Sequence, residues 1–106
     1  MGYMQNLLRE VMSSAIKHYT NSFIKIQKLP PEGQKVLKEM ILKDVKEFEL
    51  IPKSNDSDYI DKSANIGKRR QTLEVFEAIE QGISMEKFLL KKAAEYDTQI
   101  SNLKGM

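Results

Sequence analysis

Residues 4–28 read MQNLLREVMSSAIKHYTNSFIKIQK. Met4, Leu7, Leu8, Val11, Met12, Ala15, Ile16, Tyr19, Phe23 and Ile26 follow one another at steps of mostly three and four. Side chains three and four apart share a face of an α-helix, so this spacing predicts one amphipathic helix of about six turns. Arg9, Glu10, Lys17 and Lys25 fall mostly off the stripe. At the α-helical rise the segment is about 35 Å long. A small domain does not easily cover so long a stripe alone, so part of it is expected to meet another subunit.

Working outward, Pro30-Pro31 divides this segment from a second one. Pro31 suits the first turn of a helix, where its missing N–H is not needed. Val36, Leu37, Met40, Ile41, Val45 and Phe48 form the second stripe. Lys35–Glu39, Glu39–Lys43 and Lys43–Glu47 are opposite-charge pairs at i,i+4 on its outer side. Pro52 disfavours helical geometry at Ile51, so the helix is expected to end near Leu50. The first two segments are expected to form a helical hairpin over residues 4–51.

Residues 52–67 read as a long linker. Ser54, Asn55, Asp56, Ser57 and Asp58 are turn formers with little to bury, although Tyr59, Ile60 and Ile66 could pin parts of the segment to the core. A linker of this length inside a compact domain is mobile or functional. A C-terminal helical pair is expected over residues 68–104. Leu73, Phe76, Ile79 and Ile83 face inward in its first helix, and Val75 and Ala78 widen that face. Gly82 breaks the pattern, and Ser84 is the expected N-cap of the next helix. Phe88, Leu89, Ala93, Tyr96, Ile100 and Leu103 face inward there, with an expected interruption at Asp97-Thr98. The fold class is therefore all-α: about four amphipathic helices in a single domain over residues 1–106, forming a helical homodimer sealed by the first two segments.

Composition narrows the function. The chain has 106 residues, of which 41% are hydrophobic and 30% charged, a globular composition sized for one domain. It has no cysteine and one histidine, His18. Thiolate metal sites, cysteine nucleophiles and multi-histidine chemistry within the chain are thereby excluded. The formal charge is +2, short of the excess expected of a dedicated phosphate binder. No apolar run is long enough to span a membrane. The first segment lacks the Lys-rich border of a membrane-surface helix. The sequence from Met1 to Asn6 lacks a basic stretch feeding an apolar run, so no secretory leader is expected and the expected location is the cytoplasm.

Two clusters invite specific chemistry. Asp56, Asp58 and Asp61 resemble the start of a calcium loop. Counting from Asp56, however, position five is Ile60, six is Asp61 and twelve is Gly67, so the ligand pattern fails and a solvated acidic loop remains. Lys68-Arg69-Arg70, with Lys62 nearby, is a compact basic cluster suited to a phosphate or an acidic partner. His18 has no acid beside it in sequence and carries little catalytic signal. No glycine-rich turn precedes a helix, so no phosphate loop is present. No catalytic constellation, cofactor motif or metal set emerges.

The preferred functional reading is a small, non-enzymatic helical regulatory or adaptor protein that binds another protein. In that reading the 52–67 linker and the Lys68–Arg70 cluster form the recognition surface. The alternative is a dimeric DNA-binding regulator whose C-terminal third is helix-turn-helix-like, with a short third helix over Asp97–Leu103. There Lys62, Lys68, Arg69 and Arg70 grip phosphate while Gln99, Ser101 and Asn102 approach bases. Residues 71–106 carry six acids and four lysines, which counts against a DNA-reading head.

Overall fold

The computed structural model describes residues 2–103. Among them are four helices and no strand: α1 (Tyr3–Gln27), α2 (Pro31–Glu49), α3 (Ser57–Glu80) and α4 (Met85–Leu103). The protein is all-α, as the stripes require.

Short connections set the helix ends. Gln34 in the first turn of α2 donates its side-chain amide to the carbonyls of Ile26 (3.0 Å) and Leu29 (3.1 Å). It thereby adds a second partner to the Ile26 carbonyl, which also accepts from Leu29 N–H, and satisfies the Leu29 carbonyl just beyond α1. Pro30 is extended and Pro31 opens α2, as expected. At the other connection Gly82 has φ +73°, the left-handed conformation that L-residues avoid. Gly82 N–H bonds to Ile79 C=O and Ile83 N–H to Ala78 C=O. That pair of bonds closes α3 in a Schellman motif. Ser84 Oγ then accepts from Lys87 N–H at 3.2 Å and caps α4.

Of the helices that follow one another in sequence, only α2 and α3 pair along their lengths. α1 packs on α4 and α3, and α2 packs on α3. α1 and α4 run antiparallel: the Gln5 side chain bonds to the Ile100 carbonyl at one end, and the Tyr19 and Phe88 rings meet edge-on at the other. α2 and α3 are antiparallel as well, with Lys38 on Glu80 and Asp44 on Arg69. The expected 4–51 hairpin is thus a tight turn whose two arms do not pack on each other along their lengths, although both meet α3, and the two helices of the expected C-terminal pair likewise pack on α1 instead of along each other.

The core lies where the four helices meet. Tyr19, Phe23 and Ile26 of α1 pack with Ile41 and Val45 of α2, Val75, Phe76 and Ala78 of α3, and Phe88 of α4. Phe23 and Val75 are fully buried, worth about 1.5–3 kcal/mol each in transfer from water. Away from this crossing the helices leave as two arms, α1 with α4 and α2 with α3. The molecule measures 47 × 37 × 17 Å with a radius of gyration of 15.7 Å, against about 13 Å for a compact domain of this size. It is broad and thin, and much apolar surface stays outside the core.

Two expectations need correction. The 52–67 linker is mostly helix, because α3 already begins at Ser57. Tyr59 stacks on Phe48 with ring centroids 5.2 Å apart, and Ile66 is buried. These two anchors, seven residues apart, hold the first half of α3 on α2. Asp58 in the first turn suits the helix dipole. Second, α4 continues unbroken through Asp97 and Thr98 to Leu103, so the separate short helix of a helix-turn-helix is not formed. Met4, Leu7, Val11, Val36 and Met40, members of the apolar stripes of α1 and α2, are exposed. The last residue of the expected C-terminal pair, Lys104, lies outside the described residues.

Candidate partner-binding surfaces

The basic residues singled out by sequence all lie within α3 instead of at a helix entry. Successive helical residues point about 100° apart, so Lys68, Arg69 and Arg70 diverge. Lys62 and Arg69, seven residues apart, share a face and line a shallow groove of about 310 Å³ between α2 and α3. Phe48, Ile51 and Ile66 supply its apolar side chains, and Asp44, Glu47, Asn65, Lys62 and Arg69 its polar ones. Arg69 Nε donates to Asp44 Oδ2 at 3.1 Å, which ties that guanidinium to α2. Leu50 (85% exposed) and Ile60 (55% exposed), on the two flanking segments, lie uncovered. Lys68 and Arg70 are exposed, and the Lys68 carbonyl accepts from His18 Nε2 at 3.0 Å and from the Thr72 hydroxyl at 3.1 Å.

Gln99, Ser101 and Asn102 are exposed on the last turns of α4. Gln99 lines a shallow cleft with Lys92, Glu95, Tyr96 and Thr98. This end of α4 sits against Gln5, while Lys68 sits against His18. Thirteen residues of α1 separate those two points, about 20 Å along the helix. The chain therefore does not bring the two sets of sequence-selected residues into one site.

A polar cluster that the sequence did not disclose joins three helices at the edge of the core. Tyr19 of α1 donates its hydroxyl to Glu74 Oε2 of α3. Lys92 of α4 donates to Glu74 Oε1 at 2.6 Å, pairs with Glu95 Oε2 at 3.0 Å, and lies 5.4 Å from the centre of the Tyr19 ring. Burial, reinforced by the bond to Glu74, pushes the Tyr19 hydroxyl well above the usual tyrosine range. For Lys92, burial works against the charge, but the bonds to Glu74 and Glu95 outweigh it and hold the ammonium well above the usual lysine range. Both groups therefore keep their protons at neutral pH. The only advance signal was positional: Lys92 lies four residues from both Phe88 and Tyr96, on the inward side of α4.

Two helix faces remain uncovered. On α1, Met4, Leu7 and Val11 are exposed, with Tyr3 beside them. Steps of 3, 4, 7 and 4 link Met4, Leu7, Val11, His18 and Ser22 into one stripe. His18 and Ser22 meet Thr72 of α3. The same stripe is thus covered by α3 toward the end of α1 and bare toward its start. On α2, Val36 and Met40 are exposed one turn apart. Among the described residues no group of three or more acidic or histidine side chains is placed to hold a metal ion, and no helix is long and apolar enough to cross a membrane.

No family model matches this chain, and neither a curated protein nor a solved structure is detectably similar to it.

Proposed function

We propose that this protein is a cytoplasmic, non-enzymatic helical regulatory or adaptor protein that works as a homodimer and binds a second protein through the α2–α3 groove. The observation that carries this reading is the composition of the groove. Phe48, Ile51 and Ile66 provide apolar contact, and Lys62, Arg69, Asp44 and Glu47 provide both signs of charge. An apolar centre within a polar rim is the usual anatomy of a protein–protein interface. The partner it fits is an amphipathic segment with apolar anchors between charges of both signs.

One further feature supports part of the reading. The bare faces of α1 and α2 supply apolar surface for self-association.

The test uses the immobilised chain and its Ile51→Glu/Lys62→Glu variant, at two residues that line the groove, challenged with native cell extract. Both sites are exposed, so the helix content of the variant should not change. The wild type is expected to retain a protein in near-equal amount that the variant loses. Equal retention by both, or none by either, contradicts the groove reading.

A further inference from the structure

We infer that the bare stripe of α1 is the dimer contact, and that a second copy of this chain covers it by laying its own α1 antiparallel along Met4, Leu7 and Val11. The inference rests on the homodimer reading and gives it a surface and a register.

The first argument is where the stripe stops being covered. α3 covers it at His18 and Ser22 through Thr72, but Val11, Leu7 and Met4 stand exposed on the same face. The half that α3 covers is polar, and the half left bare is apolar, the kind of exposed surface that marks a contact with another molecule.

The second argument is charge. Residues 2–16 contain one cation, Arg9, and one anion, Glu10. At 100° per residue, Arg9 points to the far side of α1 from the stripe and Glu10 about 90° round from it. A second copy therefore brings no like charge head-on against the first. The bare Val36–Met40 face of α2 is different, with Lys35, Glu39 and Lys43 beside it.

The third argument is register. A two-fold contact needs a patch that complements itself. An antiparallel copy centred between Leu7 and Leu8 sets Met4 opposite Val11 of the other copy and Leu7 beside Leu8. Both Met4–Val11 contacts form at once, as the symmetry demands. A parallel copy instead sets each residue against itself.

The absence of native cysteine makes the register directly readable, since any introduced thiol is unique. Single Met4→Cys and Val11→Cys proteins are prepared, then oxidised alone and as an equimolar mixture. The inferred register predicts that the mixture forms disulfide-linked dimer at least tenfold faster than either variant alone. Faster linking of each variant to itself overturns it. Sedimentation equilibrium separates the two layers of the account, with Leu7→Glu and Val11→Glu as independent probes at exposed positions. A wild-type dimer that either substitution converts to monomer, with helix content unchanged, supports the inference. A dimer that both variants retain overturns the α1 contact and leaves the homodimer reading standing. A wild type that stays monomeric at the highest attainable concentration overturns both.

Discussion

The Tyr19 hydroxyl of α1 donates to the Glu74 carboxylate of α3, 55 residues away in sequence. Lys92 of α4 holds the other oxygen of the same carboxylate, so one acid couples three helices. This cluster sits beside the Tyr19–Phe88 and Phe23–Phe88 ring contacts.

The cluster gives stability a defined response to pH. Tyr19 and Lys92 both have raised proton affinity in the folded state. Their contribution is fully present below the unfolded-state values, about 10 for both residue types, and falls as pH rises beyond them. Unfolding free energy from urea titration should therefore show no loss from this cluster at neutral pH and a decline in alkali. Tyr19→Phe removes the hydroxyl and is expected to cost about 1 kcal/mol at neutral pH, because Glu74 is partly solvated and keeps Lys92. The late-titrating tyrosine component in an absorbance titration should vanish in that variant. An unchanged titration curve would contradict the assignment.

Two glycines test the helix boundaries in opposite directions. Gly82 has φ +73° in the α3–α4 connection, so Gly82→Ala should destabilise by about 1–2 kcal/mol. Gly67 lies inside α3, and a Cβ there meets nothing within 4 Å. Gly67→Ala should stabilise by about 0.5–1 kcal/mol, since alanine is the better residue in a helix interior. If residues 57–67 were an irregular linker, that gain would be absent.

The core and the bare stripe should respond differently to truncation. Phe23 is fully buried where all four helices meet, and Phe23→Ala should cost about 3–5 kcal/mol. Val11→Ala, on the uncovered half of the same helix, should change the stability of dilute protein by less than about 0.5 kcal/mol. Equal losses at the two sites in dilute solution would contradict this division of α1.

The separation of the basic residues from the end of α4 carries its own prediction. In a fluorescence-anisotropy titration with random duplex DNA, no binding is expected that is present at about 50 mM salt and collapses by about 200 mM. Strong salt-dependent binding, abolished by Arg70→Glu, would restore the DNA-binding alternative.

Particular residues show how far the sequence could be read. Pro31, Gly82 and Ser84 marked helix ends correctly, because each acts through its own backbone or side chain on the nearest turn. The first half of α3 was hidden. Its two anchors, Tyr59 and Ile66, are spaced by two turns, and Ile60 between them is exposed. Periodicity says which side of a helix is apolar but not whether anything covers it. Met4, Leu7 and Val11 therefore read the same as Ala15, Tyr19, Phe23 and Ile26 of that stripe, yet they are surface while those four are buried. Of the candidate contacts, Lys62 and Arg69 were related by seven-residue spacing and do share a groove. Gln99, Ser101 and Asn102 could not be placed, because the pairing of α4 with α1 depends on contacts distant in sequence.

The most direct test of the central claim is hydrogen–deuterium exchange on this chain, free and bound to the protein it retains from extract. Slowed exchange confined to residues 44–51 and 57–69, the two walls of the α2–α3 groove, is the predicted result. Protection elsewhere with the groove unchanged would contradict the claim that the groove is where this protein meets its partner.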